Sequence, residues 1–304
     1  MKAMILAAGI GTRLRPITYS VPKPMLPLGG RPLIAWLVDS LIDAGTSEIV
    51  VNLHHLPDSI ESYLPSAFPI TRFHFSYEPQ ILGTGGGLRK VRALFEAEED
   101  FFLMNGDTLQ RPAFEELRRA RREKHGIAAL TLRQPPPGDR YTAVWEENGL
   151  ITGYGQGRGR SLMFSGSHCV SSRVFRYIPD RPVSDLTGDV YQPLVKSGRE
   201  MVAGVLNDDP MWFDIGTPQR YLAAARAIGK MIGKSVIEGE VRDSIVGDDC
   251  FIARGVVLET CIVADGVEIR TPMELKNAVI CKDDRAIPRD PNYKFENGLV
   301  IACI

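Results

Sequence analysis

The sequence predicts an α/β protein: a mixed, mainly parallel sheet flanked by helices, followed by a short C-terminal segment of hexapeptide β-helix turns. Three observations predict it. Apolar β-type runs alternate with helical patterns through the first half, glycine loops follow two of the strand-like runs, and aliphatic residues recur at six-residue intervals late in the chain. At 304 residues and 44% hydrophobic content, the chain is long enough for one large α/β domain and a smaller appendage.

MILA (4 to 7) reads as a buried first strand, and RPLIAWLVDSLIDAG supplies a helix after it. EIVVNL (48 to 53) precedes a helix in SIESYL, RFHFSYE (72 to 78) precedes GGLRKVRALF, and DFFLMNGD (100 to 107) precedes AFEELRRARREK. Such alternation implies parallel strands covered on both faces. From Ala128 to about Val174 the texture changes to short β-like pieces, AALTLR, TAVWEE, LITGYG and LMFSGSHCV, separated by Pro135 to Gly138 and by GYGQGRGR. This stretch, 128–175, reads as a β-rich insertion flanking the sheet, placed to act as a lid over a second substrate. Part of VYQPLVKSG is expected to be helical. A stronger helix begins at TPQRYLAAARAIG, with Thr217 as N-cap and Pro218 at the first helical position.

After Lys234, Val246, Ile252 and Leu258 recur at six-residue intervals, and Val263 and Ile269 repeat the interval after a five-residue step. In a hexapeptide β-helix each turn buries an aliphatic residue and neighbouring turns complete the core. The predicted domains are therefore 1–232 and 233–304, and so short an array needs a cap or a partner subunit at its ends.

Net charge is −1, from 36 basic and 37 acidic residues, so no global field draws the chain to nucleic acid or to a membrane surface. Five scattered cysteines without a C-x-x-C pair read as reduced, cytoplasmic thiols and not as a disulfide framework or zinc site. No apolar stretch reaches the ~18 residues of a membrane helix, and the N-terminal run lacks a leader-peptide cleavage region.

Phosphate affinity must then be local. GIGTRL (9 to 14) resembles a dinucleotide fingerprint only in part, because Leu14 stands at the third glycine position and no acid ends the second strand; no G-x-x-x-x-G-K-[ST] run exists either. What remains is a loop whose glycines let backbone N–H groups approach anionic oxygens, with Arg13, Arg15 and Lys23 close behind. Arg15 reads equally well as a solvated surface charge. Pro16, Pro22, Pro24 and Pro27 stiffen the loop, which suits a preorganised catalytic cation at Lys23.

A second cluster, EPQILGTGGGL (78 to 88), ends the third strand and opens a helix; its glycines suit close approach to a flat ligand such as a nucleobase, or a helix N-terminus facing a phosphate. Asp107 ends the fourth strand, on the edge of an open sheet where ligands bind. Asp214, in WFDIGTP, is not needed for capping and calls for a cation. His54, His55 and His168 show no metal-site spacing and read as structural. Two aspartates, a cationic loop and a base-sized glycine pocket are the parts required for nucleotidyl transfer, in which an anionic oxygen attacks the α-phosphorus of a nucleoside triphosphate and pyrophosphate leaves.

In GIGTRLRPIT with Lys23-Pro24, LGTGGG (82 to 87), NGD (105 to 107) and WFDIGTP (212 to 218), the sequence closely resembles the sugar-1-phosphate nucleotidyltransferase family over roughly residues 1 to 230. The resemblance implies a Rossmann-like, GT-A-like nucleotidyltransferase fold, Mg2+ held by Asp107 and Asp214, and catalytic roles for Arg13, Lys23 and Asp107. It implies nucleotide contacts from Ala8, Gly9, Gly11, Thr12, Arg13 and Lys23, and from Leu82, Gly83, Thr84, Gly85 and Gly86 at the base. For the sugar phosphate it implies Asn105, Gly106, Gly155, Arg158 and Gly166. The tail resembles the left-handed β-helix of many members, often used for oligomerisation or regulation, so a homo-oligomer is expected. Many relatives carry Glu-Lys-Pro in the insertion; here GYGQGRGR offers Arg158 or Arg160 instead. LGT followed by a small residue and glycine resembles mannose-1-phosphate guanylyltransferases and favours guanylyl transfer to mannose or manno-heptose 1-phosphate. TGGG and VNLHH resemble uridylyltransferases acting on N-acetylmuramate 1-phosphate, and glucose 1-phosphate is a further acceptor. The rival readings are a non-catalytic sugar-nucleotide-binding regulatory subunit and a cytidylyltransferase acting on a phosphorylated alcohol.

Overall fold

The computed structural model of the chain describes residues 1–138, 141–229 and 231–304. The chain divides into two compact units, neither continuous in sequence: Met1–Gly9 with Trp36–Trp212, and Ile10–Ala35 with Phe213–Ile304.

A nine-stranded sheet forms the first unit. Its strands are β1 (Lys2–Leu6), β2 (Glu48–Leu53), β3 (Arg72–Tyr77), β4 (Asp100–Asn105), β5 (Ala128–Arg133), β6 (Val144–Glu147), β7 (Leu150–Tyr154), β8 (Arg160–Ser171) and β9 (Val202–Leu206). They lie in the order β3-β2-β1-β4-β8-β5-β9-β7-β6. The β3-β2-β1-β4 half is parallel throughout, as the alternation of strands and helices predicts. Beyond β4 the sheet is mixed: β8 runs antiparallel to both β4 and β5, and β9 lies parallel to β5. "Mainly parallel" therefore holds for one half only.

The stretch 128–175, of which residues 139 and 140 lie outside the described residues, does not flank this sheet; it builds much of it. β5 and most of β8 are buried along successive residues, which point to opposite faces, so both strands need cover on both sides and take central places. The hairpin β7-β6 turns through Asn148-Gly149, both at positive φ, and closes back on the sheet, because β6 pairs with the first residues of β8 as well as with β7.

Aromatic pairs mark the two faces. Neighbouring residues of β4 point oppositely, so Phe101 meets Phe95 at 4.5 Å on one face and Phe102 meets Phe114 at 4.4 Å on the other. Among the helices, α1 (Leu33–Asp43) buries Leu33, Leu37 and Leu41 at helical spacing. The others used below are α2 (Pro57–Ala67), α3 (Gly83–Lys90), α4 (Phe114–Glu123) and α5 (Pro218–Ile228). Thr217 caps α5 through Arg220 N, and Gly229 ends it in the left-handed region.

In the second unit, residues 236–282 form three stacks of short parallel strands, a β-helix-like segment. Ile252 is in register with Ile269, Leu258 with Leu275, and Val246 with Val263, so the chain returns to the same stack after about seventeen residues. Each six-residue step moves the buried aliphatic residue to the next stack. The five-residue step is regular as well, recurring between Leu275 and Ile280. Its corner is turned by Asp243, Thr260 and Asn277, all at positive φ. The last strand, β10 (Ala278–Lys282), pairs antiparallel with β12 (Leu299–Cys303), which pairs with β11 (Tyr293–Glu296); Asn297-Gly298 turns this hairpin. No helix of the described residues is long and apolar enough to cross a membrane.

His168 sits mid-sheet on β8, 3% exposed, with Tyr191 Oη 3.2 Å from its Nδ1 and the Phe164 ring 4.6 Å away. Burial lowers its pKa from 6.5 to about 3. The unfolded chain takes up this proton as pH falls through about 6.5, while the native state stays neutral until near pH 3, so stability is lost on acidification across that window. Replacing His168 by Gln should make the fall of unfolding free energy between pH 6 and pH 4 shallower by about 1.4 kcal/mol per pH unit. Urea unfolding across that range checks this; an unchanged slope would assign the acid sensitivity to other groups.

Candidate active site

The strand ends of the first unit are tied together by one side-chain pair. Asn52, at the end of β2, accepts a hydrogen bond from Ala7 N (2.7 Å) and donates one to the Glu78 carboxylate (2.7 Å). The other Glu78 oxygen accepts from Leu82 N at 2.9 Å, and the Glu78 carbonyl oxygen lies 2.7 Å from His54 Nδ1. Three strand ends and the starts of both glycine loops are thereby fixed to two buried side chains. Sequence reasoning missed this pair, although a lone Asn inside the apolar run EIVVNL was its signal.

At the next strand end, Gly106 N donates to Leu6 O at 2.9 Å, and a Cβ on Gly106 would sit 2.6 Å from that oxygen. Asn105 and Gly166 are brought together: a Cβ on Gly166 would meet the Asn105 side chain at 3.4 Å and Gln110 Nε2 at 2.9 Å. Gly166, at φ +111°, lies in an irregularity of β8 where Ser165 to Ser167 face the single residue Thr131. Bulges of this kind re-aim the chain beside functional sites. Asp107 follows, half-buried, with Thr108 Oγ1 3.2 Å from its carboxylate. Ala8 is buried, whereas Gly9 is exposed with open space where a side chain would stand.

The second glycine cluster has a different physical cause from the one expected. The segment 182–184 packs directly on α3: Ser184 O accepts from Gly85 N (2.9 Å) and Gly86 N (3.2 Å), and Ser184 N donates to Leu82 O at 3.0 Å. A Cβ on Gly83 would sit 2.5 Å from Ser184 O, one on Gly85 2.7 Å from Ser184 Oγ, and one on Gly86 would collide with Pro182 O. Thr84 donates to Asp185 at 2.8 Å and accepts from Leu186 N. The Gly85 and Gly86 amides of α3 are thus used inside the protein and do not face a phosphate.

In the second unit the cationic loop is built from three short turns. Gly11, at φ +71°, is held by Thr18 Oγ1, which donates to its carbonyl at 2.9 Å; a Cβ there would press on Thr18 and Lys23. Thr12 and Arg13 are exposed. Lys23 is only 6% exposed, with Nζ 3.9 Å from Asp214 Oδ1. Asp214 Oδ2 also takes Arg220 Nη1 at 2.5 Å, and its Oδ1 accepts from Gly216 N at 2.8 Å. Gly216 gives Arg13 room: a Cβ there would lie 2.7 Å from Arg13 Nη2. The cation that Asp214 was expected to need is met in the protein by Lys23 and Arg220. Arg220, one turn into α5, is a site residue that the sequence reading passed over. Arg15 is half-buried, its guanidinium stacked 4.6 Å from the Tyr19 ring centroid.

Carboxylate oxygens are the donors that Mg2+ takes, so Asp107 and Asp214 are chemically suited to it, though both Asp214 oxygens already hold protein partners. No group of three or more His, Cys, Asp or Glu able to hold a metal occurs among the described residues, so any ion here rests on few protein ligands. At the start of β8, Arg160 is committed to buried Glu146 through contacts of 2.6 and 2.9 Å, whereas Arg158, in the turn before it, is exposed.

Comparison with known proteins adds the following. A family model described as "Nucleotidyl transferase" matches residues 2–231. A UTP–glucose-1-phosphate uridylyltransferase of Synechocystis is 33% identical over 75% of this chain and 63% of its own length. A probable mannose-1-phosphate guanylyltransferase of rice (Oryza sativa) is 26% identical over 92% of this chain and 86% of its own. The chain thus spans less than two thirds of the cyanobacterial relative. The crystal structure of HddC from Yersinia pseudotuberculosis superposes with a TM-score of 0.62 at 22% identity, covering 74% of this chain and 98% of that one, which establishes a likeness of fold.

The two kinds of glycine respond differently to a methyl group. Gly86→Ala should cost about 1–3 kcal/mol, because the Pro182 carbonyl must move, and should lower Tm by several degrees. Gly9→Ala should leave Tm unchanged. Thermal unfolding of both variants checks the contrast; equal midpoints would contradict the packing role of Gly86.

Proposed function

The chain belongs to the nucleotidyl transferase family, and from that premise we propose that it transfers a nucleotidyl group from an NTP to a sugar 1-phosphate, giving an NDP-sugar and pyrophosphate. The observation that carries the reading is the buried Lys23, held against Asp214 in a proline-stiffened loop with Arg13 exposed beside it. A buried ammonium is costly unless it meets charge, and one fixed in place stabilises negative charge that develops in a transition state.

A phosphate oxygen of the sugar 1-phosphate attacks the α-phosphorus; the new P–O bond forms as the bond to the β-phosphate breaks, and pyrophosphate carries the electron pair away. The attacker is already anionic, so the protein need not remove a proton. Arg13 and Lys23 neutralise the phosphates. Gly11 and Thr12 present backbone N–H groups to them, and Leu82 to Gly86 contact the base. Asn105, Gly106 and Gly166 line the place of the sugar phosphate, with Arg158 in the role that lysine fills in many relatives. Mg2+, when bound, would be held by Asp107 and Asp214 and would supply further positive charge.

Guanylyl transfer to mannose 1-phosphate or a related manno-heptose 1-phosphate is the favoured specificity, supported by the rice relative that matches nine tenths of this chain. Uridylyl transfer to glucose 1-phosphate is the second reading, favoured by the higher identity to the Synechocystis protein. The stacked C-terminal strands support a left-handed β-helix and a role in self-association, and the five free thiols support a cytoplasmic setting.

Pyrophosphate release is the direct measurement, with GTP, UTP, dTTP, CTP and ATP against a panel of sugar 1-phosphates in the presence of Mg2+. One base and one sugar should stand out, and Asp107→Ala should abolish the signal. Lys23→Ala should lower kcat by at least about 100-fold, as loss of a preorganised charge does. Silence across the panel, with nucleotide sugar still bound, would favour a regulatory subunit. Arg158→Glu should raise KM for the sugar phosphate about tenfold while KM for NTP is unchanged; equal KM values would remove Arg158 from the site.

A further inference from the structure

Around the irregularity of β8 the protein uses most of its own polar groups. Ser165 O accepts from Trp212 Nε1 at 2.8 Å, and Ser165 Oγ donates to Thr131 O at 3.2 Å. Thr131 Oγ1 donates to Ser167 O at 3.0 Å and accepts from Ser167 N at 3.1 Å. Two buried side-chain groups are left over: among the described residues, neither Gln110 Nε2 nor Ser167 Oγ has a hydrogen-bond partner.

Gln110, three residues beyond Asp107, is only 3% exposed. Its amide lies on Gly166, where a Cβ would stand 2.9 Å from Nε2 and 3.5 Å from Asn105 Nδ2. Two side-chain amides therefore converge on the bare Cα of Gly166, beside the end of β4. A glycine is required there because any side chain would displace the Gln110 amide. An N–H buried without a partner destabilises the fold, so its retention calls for an explanation.

We propose that Gln110 is a specificity residue for the acceptor, its Nε2–H donating to a ring hydroxyl of the sugar 1-phosphate. The inference rests on the proposed nucleotidyl transfer and extends the contacts of Asn105 and Gly166 from the phosphate to the sugar ring. The Asn105 side chain lies over the same point, so a turn of Asn105 toward the sugar phosphate uncovers the Gln110 donor as the substrate seats. An uncharged amide is matched to a neutral hydroxyl, whereas phosphate oxygens are the better partners of Arg and Lys. A sugar lacking that hydroxyl leaves the buried donor unpaired, which is how a site rejects an analogue that differs by one oxygen.

The test compares wild type with Gln110→Met, which keeps the length of the side chain and removes the N–H. For the NTP and sugar 1-phosphate that react best, Gln110→Met should lower kcat/KM for the sugar 1-phosphate about tenfold, the upper range for one neutral hydrogen bond, with KM for the NTP unchanged. Wild type should use one monodeoxy analogue of that sugar 1-phosphate about tenfold less well than the parent, and Gln110→Met should use the two alike. The thermal midpoint of Gln110→Met should equal or exceed that of wild type, because the donor removed has no partner to lose. A lower midpoint would overturn the proposal by showing that an internal water, shared with Ser167, satisfies the amide. Unchanged kcat/KM, or an equal loss with every deoxy analogue, would overturn it as well. A wild-type chain that releases no pyrophosphate from any pair would instead overturn the proposed function. Calorimetric titration of mannose 1-phosphate and glucose 1-phosphate into both proteins would then decide the role of Gln110 alone, equal affinities or no binding refuting it.

Discussion

A buried amide and a buried carboxylate hold the strand ends of the large sheet in place. Asn52 and Glu78 satisfy one another, and their remaining groups take Ala7 N and Leu82 N, the backbone positions from which the two glycine loops depart. Strand ends otherwise leave polar backbone groups without sheet partners, and where water is excluded each such group is costly. Resolving that cost with side chains at fixed positions gives both loops a rigid origin. The glycines after them then have a defined place in which small size matters.

Size matters for a different reason in each loop. At Gly83, Gly85 and Gly86 the constraint is the segment 182–184, which lies so close to α3 that any Cβ would strike it. At Gly11 the backbone stands in the left-handed region beside Lys23. Gly9 alone among these faces open space, which is the condition for a ligand to approach the backbone. A glycine-rich signature thus combines internal packing with open space at the backbone.

Charge is arranged with the same economy. Lys23 is buried and would be unstable unpaired, while Asp214 accepts it together with Arg220 and Gly216 N. Arg13, beside Gly216, remains exposed. The result is a cluster of three cations around one carboxylate, with a local positive excess in a chain whose net charge is −1. Such an excess attracts phosphate without drawing the whole protein to polyanions.

The sequence by itself determined the elements, because their signals are local. Strand and helix periodicity, the Thr217-Pro218 helix start and the six-residue aliphatic interval each depend on neighbours within one turn or one strand. It also determined the chemistry on offer, since Arg13, Lys23, Asp107 and Asp214 stand in recognisable short motifs. Tertiary structure alone decided which partners those residues have. That 128–175 enters the centre of the sheet, that Ser184 packs on the glycines of α3, that Asn52 meets Glu78 and that Lys23 meets Asp214 all bring together residues distant in sequence. Pairings of that kind follow from strand order and from burial on both faces, quantities fixed only when the whole core closes, and no local pattern encodes them.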